Sequence, residues 1–277
     1  MLIDAFTWFD ETEMLLFRLK VLSPLVDKFI LVEADYIHSG TPKPYYSDNL
    51  LDARFDPYRD KLIIHKMKGS VEGLDFSVKP TEYDETAASW QIEHQQRESI
   101  GEACRDFSKD ALVMISDVDE IPSREALEWG VQNNAGRAAP VSFGQFLFYY
   151  NLRFVRNIIV SNPVNPQIIF WKGTILTTVE TMLSGGAQAL RHQRNSLGFI
   201  NHGGWHLSYF RDSDGIKNKI EAMAHQELNK DAFKDGARIA KCIETGQDLF
   251  DRETPVLPVS KAFFPPYFRE HVNENWW

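Results

Sequence analysis

The chain has 277 residues, of which 43% are hydrophobic and 13% aromatic, and it carries 30 basic against 39 acidic side chains. A chain of this length and composition can bury one substantial core, which predicts a single globular domain over residues 1–277. The formal net charge of −9 leaves no overall positive field to hold a polyanion, so nucleic acid is excluded as an expected partner.

The cysteines and the N-terminal residues bear on the cellular compartment. Cys104 and Cys242 lie far apart without metal-ligand spacing, which argues against a disulfide framework or a structural zinc site. The start, MLIDAFTWFDETEM, carries acids where a signal peptide needs a basic region, and no apolar run is long enough to span a bilayer. We therefore expect a cytoplasmic protein without a transmembrane segment.

The first half of the chain alternates short apolar runs with longer helical patterns, which is typical of strand–helix–strand units. The predicted strands are 2–9, 28–34, 62–67 and 111–116; a helix begins at Asp10 and ends near Pro24, and another covers 88–107. The segments 35–60 and 68–86 lack periodicity and are rich in Gly, Pro, Tyr and Asp, which predicts surface loops near a site.

The second half is more mixed. The patterns predict a helix from after Pro122 through Asn133, strands at 141–150, 167–173 and 199–210, and then two polar helices with an aromatic tail. The expected fold class is α/β, with a Rossmann-like, mainly parallel sheet flanked by helices and a helical C-terminal part.

The segment ALVMISDVDEIP is an apolar strand that ends in three carboxylates within four residues. Ligands of open α/β sheets bind at the carboxyl ends of the strands, and in extended backbone Asp117 and Asp119 would point to the same side. Their oxygens suit Mg²⁺ or Mn²⁺, which would bridge the phosphates of a nucleotide sugar. The competing interpretation is that the acids cap the helix beginning near Ser123. We favour the metal site because adjoining carboxylates repel one another without a cation.

Several stretches carry a family resemblance: FDETEMLLFRLKVLSPLVDKFILVEA, HSGTPKP, EHQQR, ISDVDEIP, and GGWHLSYF followed by KIEAMAHQE. In this order the chain resembles glycosyltransferase family 17, the family of the β-1,4-mannosyl-glycoprotein β-1,4-N-acetylglucosaminyltransferases. The resemblance implies a GT-A fold, a UDP-N-acetylglucosamine-like donor, inversion at the anomeric carbon, and Asp119 as the direct metal ligand. We accordingly expect a nucleotide-sugar-binding half at 1–122 and an acceptor-side half at 123–277.

The acceptor is expected to differ from that of the animal enzymes. Those enzymes carry a membrane anchor and a lumenal stem, and this sequence shows neither. An intracellular carbohydrate acceptor, such as a lipid-linked glycan or a surface-polysaccharide precursor, is therefore expected.

Three further residues are candidates for the site. Glu33 ends the second strand at the same edge as Asp117 and could bind a ribose or base, or simply leave the core there. Arg97 could reach a phosphate, or pair with Glu93 one turn earlier. His206 follows two glycines that would let backbone approach a ligand, and the resemblance implies a third metal ligand on a C-terminal strand; a buried core histidine is the alternative.

The reaction expected from the resemblance is a single displacement in which an enzyme carboxylate removes the acceptor proton. Spacing does not identify this base, and Glu120, Glu180 and Asp212 are unranked candidates. Lys217 and Lys219 could face a phosphate or form a solvated helix face. Two other functions remain open: a haloacid-dehalogenase-like phosphatase, which also places two aspartates after a strand, and a non-catalytic sugar-binding protein.

Overall fold

A computed structural model describes residues 1–50, 52–156 and 167–277, together with the backbone of 158–159. The strands are β1 (Leu2–Thr7), β2 (Lys28–Ala34), β3 (Leu62–Met67), β4 (Leu112–Asp117), β5 (Glu120–Pro122), β6 (Val141–Tyr149), β7 (Phe154–Val155), β8 (Ile158–Ile159), β9 (Gln167–Ile168), β10 (Trp171–Thr178), β11 (Gly198–Ser208) and β12 (Leu257–Pro258). The helices are α1 (Thr12–Leu22), α2 (Ala88–Cys104), α3 (Arg124–Gln132), α4 (Val179–Gly185), α5 (Ala187–Gln193), α6 (Ser213–Ala222), α7 (Gly236–Thr245) and α8 (Pro266–Arg269).

One large mixed sheet organises the chain. Strands β3, β2, β1 and β4 lie side by side in that order and are parallel. Beyond β4 the sheet continues antiparallel through β10 to β6, and β11 runs parallel to β6 while pairing antiparallel with β5. The predicted α/β class is confirmed, with the parallel pairing concentrated in the first half.

Most residues of β1, β2 and β4 are apolar and buried because helices cover both faces of the sheet there, whereas the edge strand β3 is only partly buried. On β1, Phe6 packs into the cluster that contains the residues of α1, whereas Ile3 and Ala5 pack with Ile100 of α2. All four side chains have no exposed surface. Alternate side chains of β1 therefore pack into two hydrophobic layers, one on each face of the sheet.

The observed strand bounds agree with the predicted ones in some places and differ in others. Strands β2 and β3 begin and end where they were predicted. The predicted strand 167–173 is instead interrupted: β9 pairs only with β8, and β10 starts at Trp171 and continues to Thr178. Ile169, between them, is 52% exposed, so the apolar run does not mark a continuous buried strand.

The register of the parallel strands decides where the polar residues meet. Thr7 at the end of β1 pairs with Asp117 of β4 and with Val32 of β2. Glu33 therefore lies one residue beyond that line, at the same edge of the sheet as Asp117, as predicted. Among the helices of the described ranges, none combines the length and the apolar character that crossing a membrane requires.

Candidate active site

The backbone turns sharply at the carboxyl end of β4. Val118 and Asp119 form a turn between β4 and β5, so the extended backbone that we expected from Asp117 to Asp119 is not present. The turn is held by Arg18 of α1, whose Nη1 lies 3.0 Å from the carbonyl of Asp117, 3.2 Å from that of Val118 and 2.9 Å from that of Glu120. Asp117 and Asp119 consequently have separate sets of side-chain partners.

Arg18 is itself fixed by a buried ion pair. Its Nε donates to Asp4 Oδ2 at 2.7 Å, and its Nη2 donates to Asp4 Oδ1 at 2.6 Å and to Ser116 Oγ at 2.6 Å. Both charged side chains have no exposed surface. No motif indicated this pair, although Arg18 and Asp4 each lie within an apolar run, MLLFRLKVL and LIDAF, where a buried charge needs a partner.

Two arginines and a threonine hold Asp117. Its Oδ1 accepts hydrogen bonds from Thr7 Oγ1 at 2.9 Å and from Arg97 Nη2 at 2.7 Å, and its Oδ2 accepts one from Arg191 Nη2 at 2.9 Å. Burial raises the pKa of Asp117, but the two guanidinium groups outweigh it and hold the pKa well below its usual range. The side chain is still 32% exposed, so one side of this carboxylate faces solvent.

The neighbouring Glu120 is closed off. Its Oε1 accepts from Trp171 Nε1 at 2.7 Å and from Arg191 Nη2 at 2.6 Å, and its Oε2 accepts from Arg191 Nη1 at 2.9 Å. The side chain has no exposed surface. Arg191 thus bridges Glu120 and Asp117, a role that no motif in the sequence indicated.

Asp119 faces His206 and Lys219. Its Oδ1 lies 3.5 Å from His206 Nε2, and its Oδ2 accepts a hydrogen bond from Lys219 Nζ at 3.1 Å. Burial raises the pKa of Asp119, but Lys219 and His206 outweigh it and lower the pKa well below the usual range. The ring of His206 lies 4.9 Å from that of Trp171, and its buried Nδ1 has no hydrogen-bond partner among the described residues. The fold therefore brings Asp119 and His206 together, and their role as metal ligands stays a prediction.

Lys219 belongs to an acidic environment. Its Nζ lies 3.7 Å from Glu11 Oε1, which is also 3.3 Å from Arg211 Nη2, and Arg211 forms an ion pair with Asp10. Burial lowers the pKa of Lys219, yet Asp119 and Glu11 outweigh it and raise the pKa, so the amine stays charged. Lys217, on the same helix, is exposed instead.

The remaining predicted residues have partners inside the protein. Glu33 has no exposed surface; its Oε1 accepts from Lys43 Nζ at 2.5 Å, and its Oε2 accepts from the backbone N–H of Ser47 at 2.9 Å. Arg97 is 3% exposed and contacts both Glu93 and Asp117. Ligand binding by Glu33 and Arg97 stays a prediction.

The three candidate bases lie in different places. Glu120 is enclosed, as described above. Glu180 is the second residue of α4 and lies near the amino end of β4, where its backbone N–H donates to the Lys109 carbonyl at 2.9 Å. Asp212 is exposed and caps α6 by accepting a hydrogen bond from the Gly215 N–H at 2.8 Å. It follows Arg211, which reaches Asp10 after β1, so Asp212 alone among the three is exposed at the carboxyl edge of the sheet.

The glycine pair before Trp205 serves the backbone of the protein. Gly204 has φ +132°, and a Cβ there would lie 2.1 Å from the carbonyl oxygen of Ile121. A Cβ on Gly203 would lie 2.8 Å from the amide nitrogen of Gly144. The sequence predicts that the pair lets backbone approach a ligand, but in the structure it lets β11 approach β5 and β6 closely.

The donor set of the site suits a cation that completes its coordination from elsewhere. Within the described ranges, no group of three or more His, Cys, Asp or Glu side chains is arranged to hold a metal ion by itself. Asp119 and His206 together offer one carboxylate and one imidazole. Mg²⁺-type sites commonly use one or two protein carboxylates and take the other ligands from substrate phosphates and water.

Comparison with known proteins gives a family and some distant structural likenesses. Residues 1–263 match the model of glycosyltransferase family 17. No curated protein matches the chain. Similar solved structures include a mycobacterial protein, at 15% identity and TM-score 0.39 over 78% of this chain and 70% of that one. Another is the 2-C-methyl-D-erythritol 4-phosphate cytidylyltransferase of Francisella tularensis, at 10% identity and TM-score 0.38 over 80% of this chain and 100% of that one.

Mouse xyloside xylosyltransferase 1, in its apo form, is also similar, at 14% identity and TM-score 0.32 over 70% of each chain. All three identities are 15% or lower and all three TM-scores are below 0.4. The family match, in contrast, extends over nearly the whole chain and includes the strand ends, the turn at Asp119 and the strand that carries His206. The chain belongs to glycosyltransferase family 17, a family of enzymes that transfer sugars.

Proposed function

We propose that the chain is a metal-dependent, inverting glycosyltransferase of the GT-A type that moves N-acetylglucosamine from a UDP-sugar to a hydroxyl group of a glycan. Family membership supports a nucleotide-sugar donor and a glycan acceptor. The observation that carries the metal-dependent part is the 3.5 Å approach of His206 Nε2 to Asp119 Oδ1 beside the carboxyl ends of the parallel strands.

The residues present fit a Mn²⁺ or Mg²⁺ ion. Asp119 and His206 would hold it through the carboxylate Oδ1 and the imidazole Nε2, which lie 3.5 Å apart. When bound, such an ion supplies positive charge that neutralises the departing diphosphate. With only two protein ligands, the site depends on the nucleotide for the rest of the coordination.

The other side chains of the site would bind and orient the donor. Asp117 exposes one side of its carboxylate while Arg97 and Arg191 hold the other, so it can accept a hydrogen bond from a sugar or ribose hydroxyl without turning. We infer that Asp212 is the strongest of the three base candidates. The reason is that it is exposed, whereas Glu120 is enclosed and Glu180 lies at the opposite edge.

The acceptor is proposed to be a carbohydrate, including lipid-linked glycans. The assay incubates the protein with Mn²⁺, UDP-N-acetylglucosamine and candidate glycan or lipid-linked acceptors, and NMR reads the anomeric configuration of the product. Because a single displacement needs both substrates bound together, we expect a β-linked product and sequential kinetics. An α-linked product would exclude inversion, and release of phosphate from simple phosphomonoesters would favour the phosphatase alternative.

Replacement of His206 by alanine tests the metal assignment. As a ligand, His206→Ala should weaken Mn²⁺-assisted UDP binding by about tenfold or more, since removing even supporting residues of metal sites costs 10- to 100-fold. Its side chain is only 12% exposed, so some loss of stability is also expected. Calorimetric titration with UDP, with and without Mn²⁺, separates the two effects. A large fall in melting temperature with unchanged donor affinity would make His206 a core residue only.

A further inference from the structure

An ammonium group already contacts the carboxylate of Asp119. Lys219 Nζ lies 3.1 Å from Asp119 Oδ2, on the carboxylate whose Oδ1 faces His206. Asp119 is only 6% exposed, so its two carboxylate oxygens have little contact with solvent. A divalent ion that binds this carboxylate must therefore share it with Lys219 or displace it.

The structure also provides a second position for the displaced amine. Glu11 Oε1 lies 3.7 Å from Lys219 Nζ, within one side-chain rotation of the present position of the amine. Glu11, Lys219, Trp8 and Lys43 line a cavity of about 90 Å³, which gives the lysine tip room to move. Arg211 already contacts Glu11 at 3.3 Å, so the second position is shared and the exchange is not free of cost.

We propose that Lys219 is a built-in competitor of the metal ion, resting on the metal-dependent function proposed above. In the metal-free enzyme its ammonium neutralises Asp119, and binding of a divalent cation moves it towards Glu11. The competition weakens binding of the metal alone, because the ion must displace a charge-assisted hydrogen bond at a nearly buried carboxylate. A nucleotide diphosphate supplies further ligands and negative charge for the ion and for the displaced amine, so metal and nucleotide bind cooperatively.

The test compares Lys219→Met with the natural chain, using Mn²⁺ alone as the probe in calorimetric titration. Removal of the competitor should tighten Mn²⁺ binding about tenfold, because the ion no longer has to displace a charge-assisted hydrogen bond. It should also reduce the cooperativity, so that UDP improves Mn²⁺ affinity less in the variant. Lys217→Met is the matched control: it removes the same charge from an exposed position of the same helix and should change Mn²⁺ affinity less than about twofold.

Stability gives a second readout that needs no activity. Lys219→Met leaves Asp119 and Glu11 close together with less positive charge, so we expect a lower melting temperature that Mn²⁺ restores more strongly than it raises that of the natural chain. If the methionine variant does not fold, Lys219→Gln keeps a hydrogen-bond donor for Asp119 without the charge. Equal or weaker Mn²⁺ binding in the folded variant would overturn the competition. Absence of Mn²⁺ binding in every variant, with UDP present, would instead overturn the metal-dependent function itself.

Discussion

Asp119→Asn is expected to abolish metal-assisted donor binding and to lower kcat/KM for sugar transfer by about a hundredfold or more. The reason is that metal-borne charge stabilisation at a leaving diphosphate amounts to several kcal/mol. The amide removes the carboxylate charge while keeping the shape of the side chain beside His206 and Lys219. UDP binding measured with and without Mn²⁺ should become the same in this variant. Metal-independent UDP binding of equal strength in the natural chain would contradict the metal bridge.

Asp117→Asn serves as the comparison, since it makes the same chemical change two residues earlier. Asp117 is the shared acceptor of Arg97 and Arg191, so its loss leaves two nearly buried guanidinium groups with less compensation. We expect a larger fall in melting temperature than for Asp119→Asn and a smaller effect on Mn²⁺ binding. If the two variants behaved alike in both measurements, the separation of roles between the two aspartates would be wrong.

Arg18→Met is expected to cause the largest loss of stability, about 3 to 5 kcal/mol, because it leaves the carboxylate of Asp4 buried and uncompensated. For a chain of this size the melting temperature should fall by roughly 10 °C. The variant also removes the donor that the carbonyls of Asp117, Val118 and Glu120 share. Thermal unfolding followed by circular dichroism gives the loss of stability.

Arg54→Met is the corresponding surface change. Arg54 also forms an ion pair, with Glu13, but the two side chains are 47% and 48% exposed. An exposed pair contributes about 1 kcal/mol or less, so the melting temperature should barely change. A similar shift in both variants would mean that burial does not determine the cost of losing these arginines.

Much of the fold could be predicted from the sequence because parallel strands that are buried on both faces have mostly apolar sequences. The bounds of β2, which has six buried residues of seven, follow from that pattern, whereas the edge strand β3 was predicted correctly although only Met67 of its six residues is buried. The pattern fails where an apolar run is not buried, as at Ile169 between β9 and β10. The apolar pattern also does not show that most strand pairs in the second half of the sheet are antiparallel. The direction of a strand depends on how the chain connects it to its neighbours, and the residues of the strand itself do not reveal this.

The candidate site was predictable only where chemistry follows directly from a motif. The carboxylates after β4 can be recognised as a candidate site because they directly follow an apolar strand, and the family resemblance indicated His206. Arg191 and Lys219 were not identified as partners of Asp117 and Asp119, because their positions depend on contacts across 74 and 100 residues of sequence. The sequence pattern of α6 does not distinguish Lys217, which is exposed, from Lys219, which contacts the buried Asp119.

The hydrogen bonds that Arg18 donates to residues 116–120 also affect when the site can form during synthesis of the chain. The acceptors at residues 116 to 120 lie 98 to 102 positions further along the chain, so they are synthesised long after α1. A nascent chain that ends before β4 can offer the guanidinium its partner Asp4 but none of these oxygens. The turn that carries Asp119 therefore becomes rigid only when β4 docks beside β1, and closing that long loop ties completion of the site to a late folding step.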